Sequence, residues 1–158
     1  LKTIILYGRR NTGLLALSYL KARGFNVKVI SDDKTILWLA ESLGCDIVDF
    51  NSMGEFDLFL CVHGNRILPK EILQKRKMVN VHPCLGLYKG ANPIKKYIKN
   101  KDTKASVESH WMIEEVDAGE VIHQEFFETG IIHSYAEFYN QCIDKYFKCI
   151  DRTLKKVL

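Results

Sequence analysis

Five cysteines, at positions 45, 61, 84, 142 and 149, form no CxxC pair, and an odd number cannot pair completely within one chain. That usage argues against a disulfide framework or a cysteine zinc site and fits reduced thiols. No apolar run approaches the ~20 residues needed to span a bilayer, and the start lacks a basic stretch followed by an apolar core and a cleavage site. A cytoplasmic protein without a membrane partner is the expectation. Net charge is also small: 23 basic residues against 19 acidic ones leave +4. Such an excess can help to hold phosphates, but it gives no reason to expect a nucleic-acid partner. Repeats, linkers and low-complexity stretches are missing as well. What is present is apolar mass, 47% of 158 residues, enough for the core of one domain expected to span residues 1–158.

The pattern of that apolar mass alternates between strand and helix. Lys2 to Tyr7 (KTIILY) reads as a buried strand ended by Gly8. After GRRNTG, Leu14, Leu15, Leu17 and Leu20 share one helical face that closes at Gly24. Asn26 to Ile30 is a second strand, and Ser31-Asp32-Asp33 caps a helix running to Leu43 and Gly44. A short strand is expected within 45–50 and a clearer one over Asp57–Val62. Pro69 opens a helix PKEILQKR, Met78–Val81 is the next strand, His82–Gly90 is a loop, and Pro93 starts a helix to about Lys99. Strands at Ala105–Ile113 and Glu120–Phe127 flank EEVDAG, and a helix from about Ser134 finishes the chain. The order predicts an α/β fold: a Rossmann-like open, mostly parallel twisted sheet with helices on both faces. The final helix has a wide apolar stripe, with Phe138, Cys142 and Tyr146 beside Ile143 and Phe147, so a homodimer is expected.

Ligands of such sheets sit beyond the carboxyl ends of the strands. Asn80-Val81-His82-Pro83 falls there, and strand alternation aims Asn80 and His82 to one side. An imidazole exchanges a proton near neutral pH, and a carboxamide can donate to an oxygen that gains charge, so the pair suits acyl transfer. Packed structural residues are the plainer alternative for this short pattern. Asp117, before Ala118-Gly119, could orient an imidazole and stabilise its charged form, or could simply make an Asx turn. His63, His110, His123 and His133 show no ligand spacing and read as surface or structural residues, so no metal is expected.

Three ordered stretches resemble one family. DLFLCVHGNRILPKEIL at 57–73, NVHPCLGLYKGANPI at 80–94 and VESHWMIEEVDAGEVIHQE at 107–125 are similar to the catalytic domain of the formyltransferases that act on glycinamide ribonucleotide, methionyl-tRNA and amino sugars. The likeness implies a catalytic trio of Asn80, His82 and Asp117. It implies 10-formyltetrahydrofolate as formyl donor, held by Arg66, Ile67 and Leu68 with Val116 and Asp117, and a small-molecule primary amine as acceptor. The loop HPCLGLYKGANP departs from the family's pattern, being one residue shorter, with Gly86-Leu87 where Leu-Pro is common.

The first turn bears on the acceptor. Gly8, Arg9, Arg10 and Asn11 differ from the turn of glycinamide ribonucleotide enzymes and look more like the opening of sugar N-formyltransferases, with two arginines suited to a phosphate or to the folate tail. A solvated basic turn is the alternative. A nucleotide-linked amino sugar ranks first, glycinamide ribonucleotide second and methionyl-tRNA third, because methionyl-tRNA enzymes usually carry a further C-terminal domain. A folate-binding module without turnover is a different class that the shortened loop leaves open. A Rossmann oxidoreductase is disfavoured, since the turn lacks GxGxxG.

Overall fold

A computed structural model describes residues 1–74 and 77–158. Its elements follow the order β1 (Thr3–Gly8), α1 (Arg10–Ala22), β2 (Asn26–Ile30), α2 (Lys34–Ser42), β3 (Asp46–Ile47), β4 (Leu58–Val62), α3 (Lys70–Leu73), β5 (Met78–Pro83), α4 (Pro93–Lys99), β6 (Lys104–Trp111), β7 (Val121–Glu128) and α5 (Tyr135–Val157). The strands form one seven-stranded sheet in the order β3-β2-β1-β4-β5-β6-β7. β1 is parallel to β2 and β4, β2 to β3, while β7 runs antiparallel to β6. The open, mostly parallel α/β sheet expected from the sequence is therefore the observed architecture.

The residues group into two compact units, Leu1–Asn80 with the terminal Leu158, and Val81–Val157. In the first, every residue of β4 is buried, as are five of the six in β1. Continuous apolar strands of this kind need cover on both faces, which is why they occupy interior positions of a parallel sheet. α1 packs on β1 and on α2. Its close approach depends on glycine: a Cβ on Gly13 would lie 2.9 Å from the Gly8 carbonyl carbon. α1 starts at Arg10, three residues before the end of the GRRNTG stretch expected to form the turn, so Asn11, Thr12 and Gly13 are helical. The Asp33 carboxylate caps α2 by accepting from Thr35 N at 2.9 Å. Pro69 is the residue before α3 rather than its first, and the end of the expected PKEILQKR helix, residues 75–76, lies outside the described residues.

In the second unit the β6–β7 pair packs against α5. The Ser109 and Thr153 hydroxyls meet at 2.6 Å, and Thr153 also donates to the Cys149 carbonyl at 2.6 Å. Reciprocal bonds stop α5 at its start: Ser134 Oγ accepts from Glu137 N at 3.2 Å, and Glu137 Oε2 accepts from His133 N at 2.8 Å. On the wide apolar stripe of α5, Phe138, Cys142 and Tyr146 are buried, as are Ile150 and Leu154 further along, while Ile143 and Phe147 are half-buried. No helix among the described residues is long and apolar enough to cross a membrane.

Candidate active site

β5 runs two residues further than the expected Met78–Val81, so that His82 and Pro83 belong to it. Asn80 and His82 are thus alternate residues of one strand and leave the same side of it. After Pro83 the backbone turns sharply: Cys84 adopts a φ of 52° and donates its N–H to the Ser106 carbonyl of β6 at 2.8 Å. The loop then brings Gly90 back to His82.

Asp117 reaches the same place from the other side of the unit, and the DAG sequence explains how. Asp117 has a φ of 56°, in the left-handed region that Asp tolerates better than most residues. Gly119 follows because a Cβ there would stand 1.7 Å from the Trp111 carbonyl oxygen. Trp111 N closes the turn by donating to the Glu120 carbonyl at 3.0 Å.

The resulting geometry is tight. His82 Nε2 lies 3.1 Å from Asp117 Oδ2 and 3.2 Å from the Gly90 carbonyl, while Gly90 N donates to the same Oδ2 at 2.7 Å. Both neighbours of Nε2 are acceptors, so this nitrogen carries the proton and the neutral ring has its lone pair on Nδ1. Nδ1 is buried and makes no hydrogen bond of good geometry. Burial opposes the charged ring, but the Asp117 hydrogen bond and charge, with the Gly90 and Pro83 carbonyls, outweigh it and raise His82 above its ordinary pKa. Asp117 answers in the opposite direction. Burial would raise its pKa, yet hydrogen bonds from His110 and His82, the His82 charge and the Gly90 N–H hold it well below the usual carboxylate range.

His110 is the residue that the sequence reading missed. It is 2% exposed, and its Nε2 lies 3.2 Å from Asp117 Oδ1 while Nδ1 lies 3.0 Å from the Trp111 carbonyl. The surface alternative is thereby corrected. A signal was available: His110 stands near the end of a strand that leads into the Asp117 loop.

The other expected site residues divide. In the first unit Arg66 holds its guanidinium 4.9 Å from the Phe50 ring centroid, Leu68 is buried and Ile67 is 76% exposed. Leu68 is therefore core, and Ile67 is presented to solvent. Val116 in the second unit is exposed. Near the first turn Arg9 Nε bonds Asp32 Oδ1 at 2.7 Å, and Arg10 N donates to Asp33 Oδ2 at 3.2 Å. The chain's own carboxylates thus already meet part of the positive charge at the start of α1.

Residues 14–150 match the profile described as formyl transferase. The chain belongs to the formyl transferase family. Over 72 residues, 44% of this chain and 23% of the relative, it is 42% identical to the methionyl-tRNA formyltransferase of Fusobacterium nucleatum. The chain spans less than half the length of the curated relatives it matches. Among solved structures, it resembles an N-formyltransferase from Helicobacter canadensis in complex with folinic acid and dTDP-3-aminofucose. That likeness has a TM-score of 0.82 at 21% identity and covers 99% of this chain and 65% of that one. A phosphoribosylglycinamide formyltransferase from Streptococcus pneumoniae gives a TM-score of 0.80 at 18% identity, with 98% of each chain covered. At such identities these likenesses establish the fold of the family.

Proposed function

We propose that this chain transfers a formyl group from 10-formyltetrahydrofolate to a primary amine, with residues 1–158 as the catalytic domain. The observation that carries the reading is the His82–Asp117 pair, a buried imidazole with one nitrogen fixed on a carboxylate and the other free of a good partner. When bound, the folate supplies an activated formyl group. Everything else falls to side chains of the chain. As the amine attacks the formyl carbon, its oxygen gains negative charge, and Asn80 and a protonated His82 are the donors that meet it. Removing one such donor typically costs ~2.7–4 kcal/mol of barrier. The new C–N bond forms as the bond from carbon to the folate nitrogen breaks. The protonated His82 gives its Nδ1 proton to that leaving nitrogen and takes one from the amine in return, so the ring ends in the state in which it began. Asp117 fixes the ring's orientation and favours its charged form, and His110 holds Asp117 in turn.

Arg66 and Ile67 in the first unit, and Val116 with the backbone at Asp117 in the second, are the proposed folate contacts, whereas Leu68, being core, is left out of them. Exposed Ile67 offers an apolar surface to a planar ring, and Arg66 is pre-oriented by Phe50. For the acceptor we favour a nucleotide-linked amino sugar, held at Gly8, Arg9, Arg10 and Asn11. The support is the neighbour whose complex contains dTDP-3-aminofucose, together with two arginines at a helix start. Glycinamide ribonucleotide is the second choice, supported by the Streptococcus pneumoniae likeness across nearly the whole of both chains. The test is incubation with 10-formyltetrahydrofolate and a panel comprising an amino-sugar nucleotide, glycinamide ribonucleotide and methionyl-tRNA, following folate release and formylated product. Faster turnover of either other amine would displace the amino sugar. Assembly as a homodimer completes the proposal, and a monomer mass by light scattering at micromolar concentration would end it.

A further inference from the structure

Ser106, Glu108 and His110 are alternate residues of β6 and share one face of it, and all three are buried, at 6%, 1% and 2% exposure. Burying a hydroxyl, a carboxyl and an imidazole in a row is unfavourable unless each group is used. His110 is used by Asp117. Glu108 has no such role in the chemistry above, although it is the most deeply buried acid described.

Its contacts connect it to the site. Glu108 Oε2 accepts the Leu85 N–H at 3.0 Å, and Oε1 is buried without a hydrogen-bond partner. The preceding amide, Cys84 N, ends on the Ser106 carbonyl at 2.8 Å. Two successive N–H groups just beyond Pro83 are therefore fastened to β6. Five residues after Leu85, Gly90 of the same loop touches both His82 and Asp117. Glu108 thus anchors the beginning of a loop whose end rests on the proposed catalytic pair.

Charge adds a second link. Burial pushes the Glu108 pKa up, while Ser106, the Leu85 N–H and the charges of His82 and His110 pull it down. A Coulomb interaction is mutual, so a Glu108 carboxylate favours the His82 imidazolium in return. Among the described residues, Cys84 in the loop and Cys149 on α5 also feel Glu108. Burial pushes these thiols up to about 11 and about 12, so both are neutral near pH 7 and add no charge beside it.

We propose that Glu108 is a positioning residue: its carboxylate pins Leu85, so fixing the loop that ends on His82 and Asp117, and places a second negative charge beside the two imidazoles. The kinetic consequence rests on the formyl-transfer reading, whereas the spectroscopic consequence does not.

Two substitutions in the full chain separate these parts. Glu108→Gln keeps an acceptor oxygen and the shape but loses the charge, and Glu108→Val loses both. Amide hydrogen exchange at Leu85 and the NMR titration of the His82 ring report the structure, and kcat, KM and the pH profile report the reaction. Glu108→Val should speed Leu85 exchange by about tenfold or more and lower kcat by a similar factor, with little change in KM for the amine. Glu108→Gln should leave Leu85 protected, lower the His82 titration midpoint and move the pH profile in the same direction. Unchanged Leu85 exchange in the valine variant, or an unmoved His82 midpoint in the glutamine variant, would overturn the proposal. If the valine variant does not fold, the glutamine variant decides it alone. A moved His82 midpoint in a protein that formylates no amine would uphold the positioning role and reject the formyl-transfer reading.

Discussion

His82 and Asp117 meet through a single imidazole nitrogen, Nε2, which lies 3.1 Å from the carboxylate while the opposite nitrogen makes no hydrogen bond of good geometry. The contact fixes the tautomer, and it also fixes how stability depends on pH. The His82 pKa is raised, so its contribution is complete below the unfolded histidine value of about 6.5 and is lost as pH rises through the folded value. The Asp117 pKa is lowered, so its contribution is complete above the ordinary carboxylate value of about 3.9 and is lost as pH falls below it. The pair stabilises most between those limits. Urea denaturation of wild type and Asp117→Asn should therefore differ most near about pH 5.5, and the difference should shrink as His82 loses its proton. A difference that stays constant to pH 9 would mean that the pair is not ionic.

Gly119 carries the loop on which Asp117 sits. Gly119→Ala must displace the Trp111 carbonyl, which a Cβ would approach to 1.7 Å. Chemical denaturation should show a loss of about 2–4 kcal/mol. Activity should fall with it, because the displaced loop carries the carboxylate away from His82.

His110 supports Asp117 from the far side. His110→Phe should lower kcat by about tenfold or more, because a buried carboxylate oxygen loses its donor. His110→Gln, which can still donate an amide N–H, should lose less. Equal losses in the two variants would mean that ring shape, not the hydrogen bond, is what Asp117 needs.

Asp32 competes for Arg9. If the first turn holds an acceptor phosphate, Asp32→Asn frees the guanidinium and should lower the KM for the amine, while Arg9→Ala should raise it. A charge-assisted hydrogen bond of ~1.5–3 kcal/mol corresponds to roughly 10- to 150-fold in affinity, well within the reach of steady-state kinetics. A change confined to the KM for the formyl donor would assign the turn to the folate tail instead.

The fold was legible because its signals are local. Continuous apolar strands, Gly24 and Gly44 after two helices, and Ser134 ahead of Glu137 each act within a few residues. The His82–Asp117 pairing was legible only through the ordered motifs, since no local rule joins residues 35 apart in the chain. His110 and Glu108 escaped because their roles depend on which partner meets one face of β6. The start of α1 was misjudged because GRRNTG is rich in turn residues. Packing of Gly13 on Gly8 is a tertiary contact that overrides the local preference.

If His82, oriented by Asp117, carries the proton in the proposed formyl transfer, its loss must slow the chemical step itself. The most direct measurement is single-turnover transfer from 10-formyltetrahydrofolate to an amino-sugar nucleotide by wild type and by folded His82→Ala. The wild type should give formylated product, and the variant should react about 10²–10⁴-fold more slowly. No formylation of any amine by the wild type, or a near-normal rate in the variant, would contradict it.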